Sequence, residues 1–183
     1  TAKIRKLEKQ LRREQRCLSR KYEDLKKRNK KMKGEATRQN IQKQVLKVQK
    51  LHQRIDNIRT DYINKCVNEI VKTKPSYITI EDLNVKGIMK NRHLSKAVQQ
   101  QCFGEFRRQM EYKSAWKNIP IILADRFFPS SKLCSCCGNI KKDLKLSDRI
   151  YKCECGNVID RDYQASLNLK RYGETTLEQQ SVS

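Results

Sequence analysis

The chain has 183 residues, with 42 Lys+Arg against 20 Asp+Glu and a formal net charge of +22 at pH 7. That excess is larger than solubility requires and points to a polyanionic partner; nucleic acid comes ahead of anionic lipid, because no apolar run approaches the roughly 20 residues of a membrane span. The 8 cysteines do not read as a disulfide framework, since nothing in the first residues resembles a signal peptide and lysine-rich helical sequence fills the first half, so a reducing, cytoplasmic setting is expected.

From about Ile4 to Met32, apolar residues at Ile4, Leu7, Leu11, Leu18, Tyr22 and Leu25 recur at helical spacing among dense Lys, Arg and Glu, which predicts a long amphipathic helix. After Gly34 a second helix is expected from about Thr37 to Lys72, with Ile41, Val45, Val48, Leu51, Ile55, Ile58, Tyr62, Cys66 and Ile70 on one stripe. Joined by a short turn, the two would form an antiparallel hairpin over residues 1–74, their stripes serving as the packing seam. Its basic outer face, with Arg12, Arg13, Arg16 and Arg20, is the candidate phosphate-contacting surface. A merely solvated face explains part of this helix but not an excess spread along the whole chain.

Pro75 ends the second helix, and the period then changes. Tyr77 to Leu83 is short, β-branched and apolar, which predicts a buried strand that stops at the carboxylates Glu81 and Asp82. A loop containing Gly87, a helix from about Ser95 to Lys117 and a second buried strand, Ile121 to Ala124, follow. Helix, strand, helix, strand implies an α/β core over residues 75–128 with a parallel crossover, and in such sheets functional groups gather beyond the carboxyl ends of the strands, where Glu81 and Asp82 fall. Cys17, Cys66 and Cys102 sit alone on apolar-periodic stretches and read as small core residues.

Two knuckles, Cys134-Ser135-Cys136-Cys137-Gly138 and Cys153-Glu154-Cys155-Gly156, fill residues 129–159. Cysteine pairs each followed by a glycine fit tetrahedral zinc, with Cys134, Cys137, Cys153 and Cys155 as ligands and Cys136 as a substitute. A closed four-thiolate site is structural and does no chemistry. Asp162 then opens a last helix over residues 160–173, where a first-turn carboxylate also has a plain role beside the helix dipole, and residues 174–183 read as a polar, frayed tail.

Only His52 and His93 could serve imidazole chemistry, and neither has an evident Ser or Cys partner. Carboxylates holding divalent metal are the natural alternative for a protein that handles phosphodiesters, because two metals about 4 Å apart activate water and stabilise the leaving oxygen without histidine. Glu81 and Asp162 are the two candidates, with magnesium as the ion. Lys86, Arg126 and Arg161 flank them as candidate phosphate contacts, although ion pairs with Asp82, Asp125 or Asp160 would explain them equally well.

The strings Ile80 to Ile88, Asp125 to Ser135, and Cys155-Gly156 followed by Asp160 to Asn168 resemble the C-terminal region of the TnpB (OrfB) proteins of insertion sequences, RuvC-like nucleases related to the type V CRISPR effectors. The resemblance runs from about Arg5 to Tyr172. It implies an α/β, RNase H-like (RuvC-like) core, here partial, with a long helical hairpin and an inserted four-cysteine zinc ribbon. It also implies three acidic magnesium ligands and DNA cleavage guided by an RNA copied from the transposon end. Glu81 matches the family's I-E-D-L-N glutamate and Asp162 the second aspartate of its D-R-D motif, which makes both catalytic in that reading. Cys134, Cys137, Cys153 and Cys155 match its zinc ligands. Gln164 departs from the family's usual Asn. The family's first catalytic aspartate, in an early Gly-Ile-Asp-Leu-Gly type strand, has no counterpart among these residues, and neither do the N-terminal domains that read the short DNA motif and much of the guide RNA. The chain is therefore expected to be the C-terminal part of a longer protein, with an unpaired sheet edge and little cleavage by itself. Guide RNA, DNA and the rest of the same protein are its expected partners. The alternative function is a non-catalytic nucleic-acid-binding zinc protein. A structural zinc protein acting through coiled-coil pairing would leave the charge and the Asp162 motif unused.

Overall fold

Leucine and isoleucine at helical spacing build the first of two units in this computed structural model, which describes residues 2–31, 38–145 and 147–181. Helices α1 (Ala2–Lys31) and α2 (Gln39–Lys72) bury Leu7 and Leu11 against Leu51 and Ile55, with Ile4, Val48 and Ile58 packed around them. Polar pairs fix an antiparallel register: Arg59 to Glu8 at 3.0 Å, Gln44 to the Glu14 carboxylate at 2.6 Å and Lys21 to the Asn40 carbonyl at 3.3 Å. The expected turn at Gly34, with Met32 and Thr37, lies outside the described residues.

The expected stripe holds as far as Ile58 and then changes. Tyr62 and Ile70 are exposed, whereas Ile63, Val67 and Val71 are buried. Leu7, Leu11, Leu51 and Ile55 form the seam between α1 and α2. The units divide within α2, as Thr1–Lys65 and Cys66–Ser183.

In the second unit, β1 (Ile78–Glu81) pairs in parallel with β2 (Ile121–Ala124), Glu81 opposite Ala124. Among the described residues this sheet has these two strands alone. Three helices make the crossover: α3 (Val85–Met89), α4 (Ser95–Gln101) and α5 (Phe103–Ala115). Where a loop was expected, α3 forms because the Asn84 side chain caps it, accepting from the Gly87 N–H at 2.9 Å. Where one helix was expected from Ser95 to Lys117, there are two, broken at Cys102, whose φ of 53° is left-handed. The run Gln99-Gln100-Gln101 gives α4 no apolar face to continue, and the break lets α5 bury Met110 with its own. Cys102 is thus a half-buried helix junction, and Cys17 and Cys66 are likewise only half-buried.

Strands β3 (Ile150–Lys152) and β4 (Val158–Asp160) form a separate antiparallel pair around the fully buried Tyr151. The last helix, α6 (Arg161–Ser181), packs on β1 and β2. Gly173 lies against Thr79 and Tyr77, the Tyr77 hydroxyl donates to the Lys170 carbonyl at 3.1 Å, and the Tyr172 ring meets Phe128 at 4.9 Å. The frayed tail expected from Glu174 is helical instead. Lys170 pairs with Glu174 at 3.7 Å one turn on, and Thr176 and Leu177 are half-buried on the face that Gly173 begins.

Candidate metal centre and carboxylate site

Gly138 and Gly156 adopt positive φ of 78° and 89°, which lets each knuckle turn back on itself: the Gly138 N–H reaches the Cys134 carbonyl and the Gly156 N–H the Cys153 carbonyl, both at 3.0 Å. The β3–β4 pair delivers Cys153 and Cys155 to Cys134 and Cys137. The four sulfurs lie within 4.8 Å of one another, with Cys134 to Cys155 at 3.7 Å and Cys137 to Cys153 at 3.5 Å. Zinc–sulfur bonds of about 2.3 Å in a tetrahedron set sulfurs about 3.8 Å apart, so the donor set fits. Cys136 is exposed and stands outside the group, so the fallback role considered for it has no geometric support.

The thiols differ in acidity. Burial pushes Cys134 up, but the backbone N–H groups of Cys137 and Cys136 and the Asn157 amide outweigh it and bring the thiol down to about 6. The Asn157 N–H pulls Cys155 down, yet the neighbouring thiols of Cys137 and Cys153 push it up to about 12. One thiolate forms easily and then opposes the rest. A divalent cation at the centre reverses that order.

Glu81 ends β1, and its carboxylate accepts from the Ser130 hydroxyl. The next residue is held differently: Asp82 is clamped by Arg126 on one oxygen and by Arg107 at 3.0 Å on the other, and the Arg126 hydrogen bond leads in holding its carboxyl below the usual range. Arg126 is therefore ion-paired. Arg161 and Arg149 lie 3.4 and 3.8 Å from Asp162, and the Arg161 side chain is only 14% exposed. The side chain of Lys86 lies outside the described residues, whereas Arg12, Arg13, Arg16 and Arg20 are exposed on α1.

Asp162 is 72% exposed in the first turn of α6. The capping is done by Asp160, which accepts from the N–H groups of Asp162 and Tyr163 at 2.9 and 3.0 Å. The first aspartate of Asp160-Arg161-Asp162 thus serves the fold, and the second carboxylate is not consumed by it. Among the described residues the four cysteines are the only cluster of three or more metal-ligating groups; Glu81 and Asp162 join none. The link between them is indirect, through Asn168, which holds the Ser130 carbonyl at 2.7 Å from about 9 Å further along α6 than Asp162. Ser130, Gln164 and Asn168 are buried polar residues that patterning passes over. The signal that could have found them is a polar pair at i and i+4 continuing the stripe that leads to Tyr172.

Residues 2–92 match the family model described as "Probable transposase" (OrfB of IS605), and residues 103–169 match the "Cas12f1-like, TNB domain". A Streptomyces pristinaespiralis protein named "Putative RNA-guided DNA endonuclease" is 37% identical over 145 residues, which cover 79% of this chain and 35% of that protein. "Putative RNA-guided DNA endonuclease InsQ" of Escherichia coli (strain K12) is 31% identical over 154 residues, covering 75% and 38% respectively. The chain spans about a third of the length of these curated relatives. Among solved structures, the Cas12f1 chain of a complex with sgRNA and target DNA matches with a TM-score of 0.55 at 23% identity, over 80% of this chain and 41% of that one. At that identity the likeness is one of fold.

Proposed function

The chain belongs to the OrfB (TnpB) family of insertion-sequence proteins, and from that premise we propose that it forms the RuvC-like end of an RNA-guided DNA endonuclease that hydrolyses phosphodiester bonds. The observation that carries this is the position of Glu81 at the carboxyl end of a parallel strand pair whose covering helix carries Asp162 in its first turn. Glu81 and Asp162 are its magnesium ligands. Magnesium, when bound, activates water and stabilises the leaving oxygen. Glu81 is held by a neutral hydroxyl, which leaves its charge uncancelled, and Asp162 is released from capping by Asp160. Cys134, Cys137, Cys153 and Cys155 hold zinc as a closed structural site in a ribbon over residues 129–159, between the core of residues 75–128 and the last helix. No counterpart of the family's first aspartate stands among these residues, so little cleavage is expected from this chain alone.

The test is to replace the matching stretch of the Streptomyces relative with this chain and to follow guided cleavage in magnesium. Cutting is expected, and Glu81→Gln or Asp162→Asn should abolish it with RNA binding retained. A chimera that cuts equally well with Glu81→Gln would sink the proposal. A second reading, binding without catalysis, is favoured by the ion pairs of Asp162 with Arg149 and Arg161. It is supported if the chimera binds RNA but never cuts.

In either reading α1 contributes charge along the nucleic-acid backbone. Replacing Arg12, Arg16 and Arg20 with Gln should weaken RNA binding across sequences and lower the slope of log K against log salt by about 2–3, as measured by filter binding over a salt series. An unchanged slope would place the phosphate contacts elsewhere.

A further inference from the structure

We infer that Ser130 is the positioning residue for Glu81, and that a buried hydrogen-bond relay ties its position to the four-cysteine cluster; the functional weight of this link rests on reading Glu81 as a metal ligand. The two adjacent carboxylates of β1 are treated in opposite ways. Asp82 has both oxygens on guanidinium groups, whereas Glu81 accepts one hydrogen bond from a neutral hydroxyl. A cation in place of Ser130 would compete with a metal ion for the same charge, and an apolar residue would leave a three-torsion side chain to wander. A buried serine orients one oxygen and leaves the other for a ligand.

Ser130 is itself held from behind. It is 5% exposed, and its carbonyl accepts from Asn168 Nδ2 at 2.7 Å. The same nitrogen reaches the Leu133 carbonyl at 2.7 Å, where Gln164 Nε2 also arrives at 2.6 Å. The other end of the Gln164 amide, Oε1, accepts from Ser135 at 2.9 Å and from Asn157 Nδ2 at 3.3 Å, and Asn157 reaches the Cys134 sulfur at 3.5 Å. Gln164, Asn168 and Cys134 are at most 1% exposed, so no water replaces a partner that moves. A flipped Asn168 amide would set its oxygen against two carbonyls, which fixes its orientation. The longer Gln164, at the position where the Asn motif is altered, spans from Leu133 to Asn157. Displacing the knuckle therefore displaces the donor of Glu81.

The test uses the full chain loaded with metal and carrying glutamate labelled with 13C at Cδ, the Glu81 resonance being assigned by its loss in Glu81→Gln. Ser130→Ala should move that resonance towards the position of exposed Glu154 while leaving the thiolate absorption of the cobalt-substituted cluster unchanged. Asn168→Asp, isosteric and without a hydrogen bond to Glu81, should move it as well. If Asn168→Asp does not fold, Gln164→Asn, which shortens the relay by one methylene, is expected to give the same displacement. A Glu81 resonance at its native position in the folded Asn168→Asp or Gln164→Asn variant overturns the relay, and one at its native position in Ser130→Ala overturns the positioning role. Broadening of the Glu81 resonance by added manganese reads the metal assignment separately, so failure of that assignment is not confused with failure of the relay.

Discussion

Removing the metal from the four-cysteine site is expected to release about one equivalent of zinc and to melt the region from Leu133 to Asp160. The reason is how little else holds it. β3 and β4 have three residues each, one isolated bridge joins Leu133 to Ile140, and among the described residues Tyr151 is the one large side chain fully buried there. An isolated two-stranded hairpin is marginal in water. A structural zinc site contributes roughly 10–16 kcal/mol to such a fold, as much as the whole stability of an ordinary domain, about 5–15 kcal/mol. Loss should spread to α6, because Gln164 and Asn168 anchor on the Leu133 carbonyl. Acid should do the same work as a chelator. The ligands bind as thiolates, and Cys155 alone stands at about 12 without metal, so binding expels protons and weakens as pH falls. Elemental analysis of the released metal, together with near-ultraviolet circular dichroism during chelation, checks both parts. A chain that carries no metal and melts identically with and without chelator refutes the expectation.

Gly173→Val should be the most damaging single substitution in the second unit outside the cysteines. A Cβ at Gly173 would stand 2.2 Å from Thr79 Oγ1 and 2.6 Å from Tyr77 Cε2. Neither neighbour retreats easily: Thr79 lies in β1, and the Tyr77 hydroxyl is tied to the Lys170 carbonyl on the same helix. Helix propensity favours the replacement by less than about 1 kcal/mol, whereas overpacking costs roughly 1–3 kcal/mol or more, so packing wins. The melting temperature should fall by roughly 5–10 °C, with Gly104→Ala, which meets nothing within 4 Å, neutral or slightly stabilising as the control. Equal melting of native and Gly173→Val would mean that α6 is not seated on β1 as described.

The parts of the fold legible in the sequence were those with a strong local cause. Ile121 to Ala124 is a strand because four apolar residues sit between Pro120 and Asp125, and the cysteine knuckles announce themselves through spacing and glycine. Glu81 fell where a strand met its first charges. What escaped depended on partners distant in sequence, or on local caps and breaks that apolar periodicity does not register. The buried face of α2 moves from Tyr62 and Ile70 to Ile63, Val67 and Val71, and Cys102 breaks a helix whose amphipathic pattern looked continuous. Asp160 and Asp162 are interchangeable in composition, and only the cap separates them. Gln164 and Asn168 are polar residues on an inner face, justified by carbonyls that no periodicity places there.

The position of α6 has a consequence in time. The helix that covers β1 and β2 begins at Arg161, while β2 ends at Ala124, so a ribosome adding about 5–20 residues per second needs roughly 2–7 s to make the stretch between them. During that interval the paired strands have no lid. The cysteines emerge within it, and the order of events on the nascent chain therefore favours metal capture first and the docking of α6 second.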